Sequence, residues 1–199
     1  MSDFCKWLHE KCSKMEHFSY SDIKNIPNNG VYVFFEEGEK AYGCRRIVRI
    51  GKNDKDGRLK KRIKDHFAGA YGIGASSFRT DLREAFIRKS LGEKAVNEWK
   101  TNAKQSARLK NTLDEATEYM RNNLSFVVFA IDDPVIRSEL EAKITGEVSS
   151  CGACKCSGKW LGLHSGKPAI RESGLWQTDY VLRRLTKKDC DILSKSSKE

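Results

Sequence analysis

Arg62 and His66 stand four residues apart in a segment, 58–67, whose Leu59, Ile63 and Phe67 recur every fourth position. That spacing predicts a helix, and an (i, i+4) pair then shares one face beside the buried stripe. Tyr32 lies in the β-branched and aromatic run Val31–Phe35, which predicts a strand. Glu141 lies in a later segment opened by Pro134 and predicted helical to about Val148. A cation, an imidazole, a phenol and a carboxylate are the parts that phosphodiester hydrolysis uses. The carboxylate holds a divalent metal, the cation stabilises the charged phosphate, and the phenol or imidazole manages the proton. Each group alone has an ordinary reading: a core tyrosine, a solvated arginine in a Lys-rich helix, a surface glutamate.

The elements that would bring these groups together follow from periodicity. Residues 3–15 carry Phe4, Trp7, Leu8, Cys12 and Met15 at helical spacing. Pro27-Asn28-Asn29-Gly30 is a turn before the first strand, and Ile47–Ile50 is a second strand closed by Gly51. The polar stretch Glu36–Gly43 is read as the hairpin connection, too short for a crossover helix, so the two strands pair antiparallel. Residues 77–90 are a helix with Ser77 as N-cap, and 92–121 are helical in two pieces, with Thr112 and Glu115 at capping-box spacing. Leu124–Ile131 is a central strand. Residues 149–168 form a loop, 169–182 are ambiguous with a strand at 178–182, and Thr186 with Asp189 opens a last short helix. The expected fold is α/β (α+β): a small, mainly antiparallel three-stranded sheet flanked by helices, with a helical insertion and a C-terminal extension. Lacking any linker, it is read as a single domain over residues 1–199, with its core at about 28–148 and the extension 149–199 packed on it.

The charge points to a polyanion. The chain carries 37 Lys/Arg against 27 Asp/Glu, a net charge of +10, and residues 40–66 hold eleven Lys/Arg against three Asp. A field of this kind attracts nucleic acid and speeds encounter with it. The first fifteen residues mix Asp3, Lys6, Glu10 and Lys11 among apolar ones, so no secretory h-region is expected, and no apolar run reaches membrane-spanning length. Seven cysteines, an odd number, argue against a closed disulfide framework and for reduced thiols in a cytoplasmic protein.

Four short motifs carry a family resemblance. Gly30-Val31-Tyr32 resembles the GIY motif of the GIY-YIG nucleases, and Arg49-Ile50-Gly51-Lys52 resembles their second motif, YIG followed by a lysine. Leu59-Lys60-Lys61-Arg62-Ile63 resembles the basic helix that bears the catalytic arginine. Leu140-Glu141 with Ile144 resembles the late helix that bears the metal-binding glutamate. All four occur in the family's order over residues 30–144. The resemblance implies a metal-dependent DNA endonuclease using Mg²⁺ or Mn²⁺. Tyr32 would orient or deprotonate the attacking water, Arg62 bind the phosphate, Glu141 hold the metal and Lys52 assist the nucleophile. His66, four after the arginine, resembles the pattern of the family's restriction endonucleases.

Two positions depart from the pattern. Arg49 replaces the second-motif tyrosine; an arginine is no base at neutral pH but can bind a phosphate oxygen. No asparagine follows Glu141, where many members carry one about a dozen residues on, and Ser157, His164 and Ser165 are the candidate polar substitutes. A catalytically inactive nucleic-acid-binding module of the same fold is the alternative. Ser76, Ser77, Arg79, Arg83 and Arg88 could touch phosphates from the insertion, or form a soluble helix face. Cys151, Cys154 and Cys156 could hold a structural Zn²⁺ with His164 or Cys190 as fourth ligand, or be free thiols in a loop. Trp160 and Trp176 either pack the tail over the sheet or contact bases. DNA is the expected partner, and a homodimer is compatible with the sequence.

Overall fold

The structure, a computed structural model, describes residues 3–68, 76–101, 106–178 and 183–197. Its centre is a three-stranded antiparallel sheet of order β2-β1-β3, formed by Val31–Ala41 (β1), Cys44–Lys52 (β2) and Leu124–Phe129 (β3). The helices, in chain order, are Asp3–Ser13 (α1), Leu59–Phe67 (α2), Ser77–Leu91 (α3), Glu93–Thr101 (α4), Ala107–Asn123 (α5), Pro134–Ser149 (α6), Pro168–Ser173 (α7) and Lys187–Lys195 (α8). The expected sheet and flanking helices are therefore present.

β1 alternates between two cores. Val31, Val33 and Phe35 pack with α1, α6 and α8, together with Ile50, Val127, Leu140 and Ile144. Tyr32 and Phe34 face the other way and pack with α2 and α3, together with Val48, Ile63, Phe78, Phe126, Trp160 and Trp176. A strand buried on both faces carries no polar alternation, which is why 31–35 is apolar throughout. A third cluster, Ile87, Val96, Trp99, Leu109 and Leu113, closes the insertion made by α3, α4 and α5.

The hairpin differs from its expected form. The strands run on through 36–41 and 44–46, and the connection is the two residues Tyr42 (φ 54°) and Gly43 (φ 75°), the positive-φ pair of a tight hairpin turn. Glu36 and Glu39 look like loop residues in sequence but are buried strand residues with dedicated donors. Glu36 accepts from Tyr119 Oη (2.6 Å) and from the indole nitrogens of Trp160 and Trp176 (both 2.9 Å). Glu39 pairs with the buried Arg46 at 2.7 Å and accepts from Ser157. The two tryptophans thus pack the C-terminal extension onto the sheet.

Helix starts were legible to within a residue in some places and misread in others. Asp133 caps α6 ahead of Pro134, and Thr186 and Asp189 form the expected capping box of α8. Ser76, not Ser77, caps α3. Ser106 caps α5, and Thr112 lies inside that helix, its hydroxyl donating to the Arg108 carbonyl. Residues 168–173 form α7. The strand expected at 178–182 lies almost wholly outside the described residues.

Candidate active site at the end of strand β2

Two glycines set the geometry. A Cβ at Gly30 would sit 2.3 Å from the Phe129 carbonyl oxygen, so glycine lets β1 enter the sheet close against β3. A Cβ at Gly51 would sit 2.3 Å from Tyr32 Oη; Gly51 is the cross-strand partner of Tyr32, and its bare backbone leaves room for the phenol to lie across it. Asn53 ties the neighbouring loops together. Its carbonyl accepts from Gly30 N–H (3.1 Å), and its amide donates to Asn29 (3.1 Å) and to the Lys55 carbonyl (2.8 Å).

Across Gly51 the phenol reaches α2. Tyr32 Oη lies 2.8 Å from His66 Nε2, and His66 Nδ1 lies 2.7 Å from Ser76 Oγ. Ser76 Oγ also accepts from Arg79 N–H, so the cap of α3 fixes the far end of the chain. All three side chains are buried. Burial holds the imidazole well below its ordinary pKa, reinforced by the guanidiniums of Arg49, Arg62 and Arg79. His66 is therefore neutral, with one ring nitrogen donating and the other accepting. Tyr32 and His66 meet as expected, but inside the core rather than on the sheet surface.

The solvent-accessible groups gather at the edge of β2. Lys52 ends the strand, is half-buried, and pairs with Asp54. The Asp54 carboxyl is held below its usual range by that bond and by the nearby charges of Lys52, Arg62 and Arg137. Arg62 therefore approaches this edge from one sheet face and α6 from the other. On α6, Arg137 reaches Asp56 in the loop after β2 (2.5 Å), and Thr145 accepts from Gln177, whose carbonyl accepts from Ile50 N–H of β2. Glu141 lies between them, one turn from each, on the flank of α6 that runs along this edge. It is half-buried, whereas Glu139 is exposed and Glu147 is buried against Leu185 N–H. Beyond the edge, a groove lined by Asn53, Asp54, Lys55, Arg58, Lys61, Arg62 and Asp65 runs along α2.

Much of the remaining charge is structural. Arg79 donates to the Asp65 carbonyl, Arg83 to the Ala68 carbonyl and Thr117, and Arg88 pairs with Glu84 and Glu93. Ser76 is buried on His66. These four expected phosphate contacts are thus committed to holding the insertion, while Ser77 alone of that group is exposed.

The cysteines do not group as the sequence suggested. Cys154 lies 3.2 Å from Cys5 on α1, sulfur to sulfur, and 3.8 Å from His9 Nε2. His164 is exposed beside α3, where its carbonyl accepts from Arg88, and Cys190 on α8 lies among Asp189, Asp191 and Glu147. The groups that meet Cys154 are instead Cys5 and His9 of the chain's first helix.

A family model described as GIY-YIG domain matches residues 3–199. The chain belongs to the GIY-YIG family. Comparison with curated proteins and comparison with solved structures each give no match. As a GIY-YIG protein the chain carries a domain of nuclease type. Tyr32 is the tyrosine of the Gly30-Val31-Tyr32 segment. Arg49, at the second tyrosine position, is buried; it stacks over Phe78 (5.2 Å) and donates to the Trp176 carbonyl. That placement makes it an anchor for the extension and a source of field at His66. Ser157 serves Glu39, Ser165 caps a turn by accepting from Lys167 N–H, and His164 is remote, so none replaces the missing asparagine beside Glu141. The amide at this edge is Gln177, 36 positions after Glu141, and no spacing rule would have found it.

Proposed function

We propose that this GIY-YIG domain is a metal-dependent DNA endonuclease, of the restriction type, that cuts at the C-terminal end of β2. The observation that carries the reading is the convergence there of Lys52, Arg62 and the Glu141 flank of α6, backed by the 2.8 Å contact of Tyr32 with a neutral His66. Glu141, a half-buried carboxylate on α6, is the ligand type that a hard divalent cation takes. When bound, Mg²⁺ or Mn²⁺ supplies Lewis-acid stabilisation of charge on the phosphate. Arg62 binds a non-bridging oxygen of the scissile phosphate, and Lys52 lies beside the nucleophile. Tyr32 orients the attacking water, and His66, kept neutral by burial and backed by Ser76, positions the phenol through the 2.8 Å contact. Lys55, Arg58 and Lys61 guide the strand along the groove. The (i, i+4) arrangement of Arg62 and His66 is what favours the restriction branch.

A second reading is favoured by two burial facts. Tyr32 is fully buried and Arg49 nearly so, which suits a module that binds DNA through the groove without turning it over. Incubating the protein with duplex, branched and single-stranded DNA in Mg²⁺, Mn²⁺ and EDTA separates the two. Cutting that needs the metal supports the enzyme. Salt-sensitive binding with no cut under any condition supports the module.

A further inference from the structure

We propose that Cys5, His9, Cys151 and Cys154 bind one structural zinc ion that fastens helix α1 to the loop after α6. This site is separate from Glu141 and does not rest on the nuclease reading. Cys5, His9 and Cys154 place their ligand atoms all within 4.8 Å of one another, and all three residues are buried. A tetrahedral zinc with Zn–S of about 2.3 Å and Zn–N of about 2.0 Å sets two sulfurs about 3.8 Å apart and a sulfur and nitrogen about 3.5 Å apart. The separations here are 3.2 Å for the two sulfurs and 3.8 Å from Cys154 Sγ to His9 Nε2. Cys151 supplies the fourth ligand. Its thiol interacts with both Cys5 and Cys154, and its other contact is Tyr42 Oη at 2.8 Å.

The two halves have ligand spacings. Cys5 and His9 are four apart on one face of α1, and Cys151 and Cys154 flank a turn closed by a hydrogen bond from Cys154 N–H to the Cys151 carbonyl (3.1 Å). The imidazole is already oriented. Nδ1 lies 2.9 Å from the Cys5 carbonyl, an outer-shell bond of the kind that fixes the tautomer of a metal-binding histidine and leaves Nε2 to the ion. Ile47 N–H now meets Nε2 at 3.3 Å, and the ion would take that place. Two thiols and an imidazole already gathered, with a third thiol beside them, select zinc over harder cations. Cys156 packs against the opposite core and stays outside the site.

The test uses the full chain, purified untagged under reducing conditions, with metal content measured after dialysis and the Co²⁺-substituted form examined by absorption. The expected result is about one zinc per chain, with cobalt giving tetrahedral d–d bands and thiolate charge transfer. Cys5→Ser and Cys154→Ser drop the content below about a tenth of an equivalent. His9→Cys keeps the ion and shifts the cobalt bands, a readout that does not depend on the serine variants folding. Cys156→Ser and Glu141→Gln keep the ion with an unchanged spectrum. Wild-type protein holding less than about a tenth of an equivalent, with its seven cysteines free or two of them oxidised to a disulfide, overturns the proposal. So does an ion that survives Cys154→Ser and leaves with Glu141→Gln.

Discussion

Helix α6 links two polar clusters of opposite chemistry. Along its flank, Glu141 lies one turn from Arg137 and from Thr145, on the side toward β2, where Lys52, Asp54 and Arg62 offer oxygens and hard cations to solvent. Just past its end, Cys154 meets Cys5 and His9, all three buried, with the half-buried Cys151 beside them. The first cluster is half-open and its members come from three elements. The second is closed, and its pairs come from single turns of chain. A site that must admit a substrate stays wet and is assembled from afar. A site that only has to hold the chain together is dry and locally paired.

The sharpest way to break that comparison is Glu141→Gln. It should lower cleavage by at least about a thousandfold, because a bound cation contributes several kcal/mol of charge stabilisation. DNA affinity should be nearly unchanged in a filter-binding measurement. A dead Glu139→Gln with a working Glu141→Gln would move the metal site to the exposed face of α6.

The open cluster should also respond to salt while the closed one does not. Four groove cations, Lys55, Arg58, Lys61 and Arg62, each release a counterion on meeting a phosphate. Affinity should therefore fall about a hundredfold between 50 and 200 mM salt, roughly 0.9 log units per contact per decade. A flat titration removes the groove from the interface.

Tyr32→Phe probes the hydrogen-bonded chain behind the edge. Phenylalanine fills the same space, so folding should lose roughly 1 kcal/mol, one hydrogen bond. Cleavage should fall by at least about a hundredfold. Tyr42 cannot stand in, since it sits at the far turn of the hairpin on Cys151, so Tyr32→Phe/Tyr42→Phe should match the single variant. A wild-type rate in the double variant ends the proposed role of the phenol.

The smallest effect is on stability. His66 has a folded-state pKa below its ordinary 6.5, first through burial and then through Arg49, Arg62 and Arg79. Between that depressed value and 6.5 the unfolded chain binds a proton that the folded one does not. Stability is thus complete above pH 6.5 and falls with acid through this window, by at most about 1.4 kcal/mol per pH unit. Urea unfolding of wild type and His66→Gln across the window should show the steeper slope in the wild type. Parallel slopes would mean that the imidazole titrates normally.

The sheet, the order of helices and the motif positions were legible because they rest on local periodicity and on glycines with one steric purpose each. Gly30 and Gly51 are motif letters in the sequence and close contacts in the structure. What escaped depends on chain segments far apart. Glu36 and Glu39 read as loop until Tyr119, Trp160, Trp176 and Arg46 arrive to satisfy them. Gln177 and the pairing of Cys5 with Cys154 across 149 positions belong to the same class. Arg79 and Arg83 looked like free cations because charge in a helix says nothing about which carbonyls lie beyond its end.

The shared acceptor of Trp160 and Trp176 gives the molecule an optical gauge. Their ring centres are 5.1 Å apart and inclined at 59°, close and skewed enough for the two indole transitions to couple as an exciton pair. One partner follows the cysteine loop, and the other lies on β2 beside Arg49. The sign and amplitude of the resulting circular-dichroism couplet therefore report whether the extension is seated, in a chain that need not bind or cut anything to be read.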